Sequence, residues 1–116
     1  MSGLLAEALD KFRELVNGHP RMTTLLRGWD RVTVVEAEDT GAQFTIDFRD
    51  CQIVSVTPGK YLEKANIYLK ASERILADVF VGALNPASEF LDGRLRVDAN
   101  SKDQVKLDAI TLVLWD

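Results

Sequence analysis

The chain has little of what most catalytic and metal sites are made from. It holds one cysteine, Cys51, and one histidine, His19, among 116 residues. A single thiol forms no internal disulfide, and one thiol plus one imidazole cannot complete a Cys/His zinc site. Cys51 has no Cys-x-x-Cys partner and no adjacent basic residue, so it reads as a small apolar residue entering a strand. His19 sits in a Gly-His-Pro turn and reads as a solvated loop residue. No Ser or Cys stands in a nucleophile-elbow pattern. Long apolar runs are missing too: the longest uncharged stretch, Val79 to Ser88, falls far short of a bilayer span. Basic charge is in deficit, with 14 Lys and Arg against 18 Asp and Glu and a net charge of -4. No basic patch stands out against that background, which argues against nucleic acid as a partner. Met1 to Ala8 lacks a basic region followed by an apolar core, so no secretory signal is expected and a cytoplasmic location follows by default.

What is present is an ordinary globular balance, 47% hydrophobic and 28% charged, enough for one domain spanning 1–116 around one core. Leu4, Leu5, Ala8, Leu9, Phe12, Leu15 and Val16 recur at helical spacing over Ser2 to Asn17. Ser2 is placed as N-cap, and Gly18 with Pro20 ends the helix. A short helical turn through Leu25, Leu26 and Trp29 is expected next. The period then changes. Arg31 to Glu38 is rich in Val and Thr, and Asp39-Thr40-Gly41 is turn chemistry. Ala42 to Arg49 alternates, with Phe44, Ile46 and Phe48 on one face. Gln52 to Val56 and Ala65 to Lys70 complete four strands, with Ile67 and Leu69 sharing a face of the last.

Ser72 is positioned to cap a second helix whose stripe is Ile75, Leu76, Val79, Phe80, Ala83 and Leu84. Asn85-Pro86 restarts a helix carrying Ala87, Phe90 and Leu91, stopped by Gly93. Arg94 to Ala99 alternates as a fifth strand, and Ser101-Lys102-Asp103-Gln104 matches a capping box. The terminal segment holds more apolar residues than one stripe can use, with Thr111 the only polar residue from Ala109 to Trp115. Such a helix needs apolar cover on more than one side; a strand there is also compatible with so short a run.

The order of elements resembles that of the sterol carrier protein type 2 family, also called nonspecific lipid-transfer proteins. The residues that carry the likeness are Gly82-Ala83-Leu84-Asn85-Pro86, then Phe90, Gly93, Leu95 and Val97. They look like the family's G-x-L-N-P, F, G-x-L-x-[IV] core. Gly28-Trp29-Asp30-Arg31 resembles the start of the first strand in bacterial and archaeal single-domain members. Two departures stand out. Asp98-Ala99-Asn100 replaces a common Gly beside Asp or Asn, and Gln104-Val105-Lys106-Leu107 replaces the usual A-M-K-L. Many members end in a peroxisomal tripeptide, whereas Leu114-Trp115-Asp116 stands here, which argues against that address.

The resemblance implies an α+β fold: a twisted, mainly antiparallel five-stranded sheet with helices on one face and an apolar tunnel between them. It implies a fatty acid, acyl-CoA, sterol or other isoprenoid lipid as ligand, with no cofactor and no catalytic residues. Expected lining residues are Phe44, Ile46, Phe48, Ile67 and Leu69 from the strands. Phe80, Leu84, Phe90 and Leu91 would come from the middle helices, and Leu107, Ile110, Leu114 and Trp115 from the last. Plain core packing is the alternative for each of them. A non-lipid reading also fits: a dimerisation module, or one that meets a partner enzyme through the C-terminal helix. Transient contact with a membrane surface accompanies the carrier reading. Carboxylates for catalysis are few. Asp47, Asp50, Asp92 and Asp98 fall mostly in or beside turns, Glu36, Glu38 and Asp39 gather at a hairpin tip where a solvated turn is simpler than a metal site, and Asp108 reads as the polar edge of the last helix.

Overall fold

The structure, a computed structural model, describes residues 3–115, so the expected Ser2 cap lies outside the described residues. The first helix, α1 (Leu4–Gly18), buries Leu5, Ala8, Leu9, Phe12 and Val16 on one side, as the helical spacing requires. Leu4 falls off that stripe and is exposed. The first turn of α1 is capped from a distance: the Leu5 N–H donates to Glu73 Oε2 at 3.0 Å. The Glu73 N–H in turn donates to Asp39 Oδ1 at 2.9 Å. Asp39 therefore holds the start of a helix instead of joining an acidic cluster at the hairpin tip. A short helix, α2 (Met22–Leu25), and Gly28, with φ of 72°, then deliver Trp29 to the first strand.

Strands β1 (Arg31–Ala37), β2 (Gln43–Arg49) and β3 (Gln52–Pro58) form an antiparallel meander. Strand β4 (Ile67–Ala71) joins the free edge of β1 in parallel, and the three-residue β5 (Arg96–Asp98) pairs antiparallel with β4. The order is β3-β2-β1-β4-β5, a mixed and mostly antiparallel sheet. Cys51 does not open β3 as expected. Asp50 and Cys51 are the two-residue hairpin loop, with φ of 55° and 65°, because the β2–β3 register leaves only these two residues to turn the chain.

In register, Ile46, Thr33 and Ile67 share one face of the sheet, as do Phe44, Val35 and Leu69. All the α-helices pack on that face. The opposite face is also covered in part, which the sequence did not suggest. The β3–β4 connection, with a 3-10 turn at Leu62–Lys64, crosses behind the sheet. Thr45 Oγ1 donates to the Gly59 carbonyl at 2.9 Å, and Asn66 exchanges hydrogen bonds with the Val32 backbone in both directions. Glu36 faces this side and accepts hydrogen bonds from Tyr68, Lys60 and Gln43. The Tyr68 hydroxyl above all, then Lys60 and Gln43, holds the Glu36 carboxyl below its usual range. The same arrangement raises the Tyr68 hydroxyl to about 12, burial being the larger cause and Glu36 the next.

Ser72 caps helix α3 (Glu73–Phe80), its Oγ accepting from the Ile75 N–H at 3.2 Å. Helix α3 ends four residues before the apolar stripe does: the Ala83 and Leu84 N–H groups both turn back to the Asp78 carbonyl, and Ala83 is exposed. Asn85 caps helix α4 (Pro86–Leu91), with Oδ1 accepting from Ala87 and Ser88. Glu89, nearly fully buried, receives a bidentate hydrogen-bonded pair from Arg94 at 2.8 and 2.9 Å. Those bonds hold its carboxyl below the usual range and tie α4 to the chain leading into β5.

The final helix, α5 (Ser101–Trp115), is a helix throughout its described length. Its cap is Asn100 and not the expected Ser101: Asn100 Oδ1 accepts from the Asp103 N–H at 2.8 Å. Gln104, expected to reach back in a capping box, instead donates from Nε2 to the Ala99 carbonyl at 2.9 Å. Asp103, 1% exposed, accepts from Trp29 Nε1 at 2.9 Å and from Arg31 Nε at 3.0 Å. Trp29 also meets Phe48 edge-on, with ring centroids 5.2 Å apart. Lys106 Nζ adds a bond to the Leu25 carbonyl at 2.8 Å, satisfying the end of α2. The start of α5 is thus fastened by a buried anion with two donors. Asp103→Ala leaves both donors without an acceptor, and a loss of about 2–4 kcal/mol is expected in urea unfolding. Asp103→Asn keeps an acceptor for Trp29 and should lose clearly less.

Candidate ligand cavity

The interior is filled unevenly. On the β2–β3 side, α1 lies over the sheet, with Asn17 and Arg13 hydrogen-bonded to the Ile53 backbone. Phe44, Ile46 and Phe48 from β2 and Ile67 from β4 all pack in the continuous core. None of the four lines the apolar cavity on the other side, and Ile67 instead borders a small recess with Tyr68 and Arg96. On the β4–β5 side the cover is broken: α3 stops at Phe80, α4 is six residues long, and β5 is three. Between these pieces and α5 lies a cavity of about 220 Å³.

The structure brings together Leu69, Phe80, Phe90, Leu91, Leu107 and Ile110 of the expected lining residues around this cavity. It does not bring Leu84, Leu114 or Trp115 to it. Leu84 lies in the turn after α3, beside a separate shallow recess that Trp115 also borders. Leu114 packs half-buried against the core. Trp115 covers the seam between α1 and α3, stacking on Phe12 at 6.3 Å. Its ring also lies over Gly82, where an added Cβ would come within 2.6 Å of it. That close approach, together with a φ of 85°, explains a glycine at this position.

Several residues not among those expected also line the cavity. Phe12 from α1 and Leu76 and Val79 from α3 reach the cavity, as do Leu95 and Val97 near β5. Phe12 and Phe80 meet edge to face at 4.9 Å in the wall. Phe90 and Leu91 are 43% and 82% exposed and stand at the mouth. The wall is carbon except along α5, where Gln104, Asp108 and Thr111 face inward. Asp108 is therefore not simply the polar edge of the helix. Burial pushes its carboxyl above the ordinary value.

Little else resembles a reactive site. Among the described residues no group of three or more His, Cys, Asp or Glu could hold a metal ion. His19 Nδ1 accepts from the Arg21 N–H at 3.1 Å within its turn. Among the described residues, no helix is long and apolar enough to cross a membrane.

A helix-covered mixed sheet enclosing a single-sided apolar hollow defines a class of ligand-holding α+β domains. The profile of the SCP-2 sterol transfer family matches residues 9–111, and the chain belongs to that family. No curated protein matches it. Among solved structures it is similar to the sterol carrier protein-2 of Aedes aegypti in complex with palmitate, at 16% identity and TM-score 0.72, over 98% of this chain and 99% of that one. It is also similar to sterol carrier protein domain 2 of Helicoverpa armigera, at 20% identity and TM-score 0.71, covering 97% and 92%. A sec-alkylsulfatase from Pseudomonas sp. contains the same fold, at 19% identity and TM-score 0.64. There the match covers 81% of this chain but only 14% of the sulfatase. At these identities the likenesses establish the fold.

Two outcomes follow from the packing. Gly82→Ala should displace Trp115 or strain the turn, lowering stability by about 1–3 kcal/mol in chemical denaturation. Asp108→Asn should behave in the opposite sense. Because the folded-state value is raised, the folded chain binds more protons than the unfolded one, and Asp108 costs stability as pH rises through that window. Asn should therefore be more stable than wild type at neutral pH, with the gain shrinking as pH falls toward the ordinary carboxylate value of 3.8, as thermal melts at several pH values will read.

Proposed function

We propose that this protein binds a hydrophobic ligand, a fatty acid, acyl-CoA, sterol or other isoprenoid lipid, and carries or presents it without chemistry of its own. The observation that carries this reading is the hollow of about 220 Å³ walled almost wholly by carbon between β4–β5 and helices α3, α4 and α5. A ligand tail gains ~0.8 kcal/mol for each methylene it buries there. Ten methylenes supply ~8 kcal/mol, from which association takes back several, leaving weak to micromolar affinity and little discrimination by chain shape. Phe90 and Leu91 at the mouth suit brief contact with a membrane surface, where an apolar ligand could pass without crossing water.

Filling the hollow tests this. Ala87, on the cavity wall, replaced by Trp should abolish displacement of a fluorescent fatty acid, or weaken it at least tenfold, while the melting temperature holds or rises. Wild type should gain stability with added lipid, by ~2.7 kcal/mol at a hundredfold excess over Kd. Absence of lipid-induced stabilisation and of probe binding in wild type would count against the proposal. A second reading, self-association or docking on a partner enzyme through α5, is favoured by the outward Val105 and Leu112, 67% and 53% exposed. A Val105→Ser, Leu112→Ser double variant that loses a dimer by size-exclusion mass while keeping probe binding would support that reading instead.

A further inference from the structure

We infer that the cavity selects a ligand whose polar head is an uncharged hydrogen-bond donor, such as a hydroxyl, over one whose head is a carboxylate, with Asp108 as the specificity-determining residue. This rests on the lipid-binding reading and narrows it. Gln104, Asp108 and Thr111 follow one another at four and three residues along α5, so they form a single polar ridge in an otherwise carbon wall. The Thr111 hydroxyl proton and one of the two Gln104 amide hydrogens are already engaged. The Thr111 hydroxyl donates to the Asp108 carbonyl at 2.8 Å, and Gln104 Nε2 donates to the Ala99 carbonyl at 2.9 Å.

What the ridge offers a ligand is therefore mainly acceptors: the Asp108 carboxylate, Gln104 Oε1 and the lone pairs of the Thr111 hydroxyl. Among the described residues the Asp108 carboxylate has neither an ion pair nor a side-chain hydrogen bond. The side chains lining the cavity from α1, β4, α3, α4 and β5 include no ionisable group, so nothing there offsets a second negative charge. A ligand carboxylate brought to this ridge sets two anions together in a poorly solvated space, and one of them must take up a proton. A hydroxyl meets the same carboxylate as a charge-assisted donor.

The experiment is displacement of an uncharged fluorescent hydrophobic probe by a medium-chain fatty alcohol and by the fatty acid of the same chain length. It is run near neutral pH on wild type and Asp108→Asn, each first shown to be folded by its melt. In wild type the alcohol should bind about tenfold more tightly than the acid, a difference of ~1.4 kcal/mol. In Asp108→Asn the acid should gain several-fold and the gap should close. Equal binding of alcohol and acid in wild type overturns the inference, as does a gap that the substitution leaves unchanged. Either result leaves the lipid-binding reading in place. Failure of both ligands to displace the probe from wild type overturns that reading, and this inference with it.

Discussion

One buried carboxylate sets the geometry on which the cavity depends. Asp103 sits in the first turn of α5 and takes hydrogen bonds from Trp29 and Arg31, two residues at the start of the first strand. A buried anion with two well-placed donors tolerates little displacement, because moving it strands polar groups away from water. The angle at which α5 leaves the sheet is therefore fixed at its base. Beyond Lys106 the helix is held chiefly by apolar contact, with Ile110 as its one fully buried apolar side chain. Hydrophobic contact is non-directional and can be exchanged for another apolar surface at little cost. A rigid base and an apolar free length are what a wall needs if it is to close on guests of differing shape.

The hollow itself is a consequence of short elements. Helix α1 is fifteen residues long and buries one continuous apolar stripe. The other half of the layer is assembled from α3, α4 and the connection between them, each ended by a local device. Backbone bonds to the Asp78 carbonyl stop α3, and Asn85 with Pro86 starts α4 in a new direction. The cavity lies where these short pieces meet. The gap between them falls over Leu69 and Val97, beneath α5.

Local signals were the legible part of the sequence. Ser72 and Asn85 cap the helices expected of them, because a cap is decided by a few adjacent backbone groups. The alternation of Phe44, Ile46 and Phe48 correctly gave an inward face. It could not say what would cover that face, so these residues were expected at a cavity when they pack in the continuous core, Phe48 against Trp29. Cys51 was read as entering a strand, and the pairing of Arg49 with Gln52 shows that it belongs to the two-residue turn just before β3. The cap of α5 lies one residue earlier than expected, because the Asn100 side chain accepts from the Asp103 N–H. Asp108 looked like a solvent-facing edge, since periodicity cannot tell an inner polar residue from an outer one when most of the helix is apolar.

The placement of the two tryptophans carries a consequence of its own. Trp29 is locked at the base of α5, where its indole nitrogen is bonded to Asp103 and its ring is shielded from solvent. Trp115 rides on the far end of the same helix, half-buried against Phe12 and Gly82. One indole thus reports on the polar base of α5 and the other on its apolar far end. Intrinsic ultraviolet emission from the unlabelled protein therefore samples two environments on one helix, a buried hydrogen-bonded indole and a half-buried stacked one.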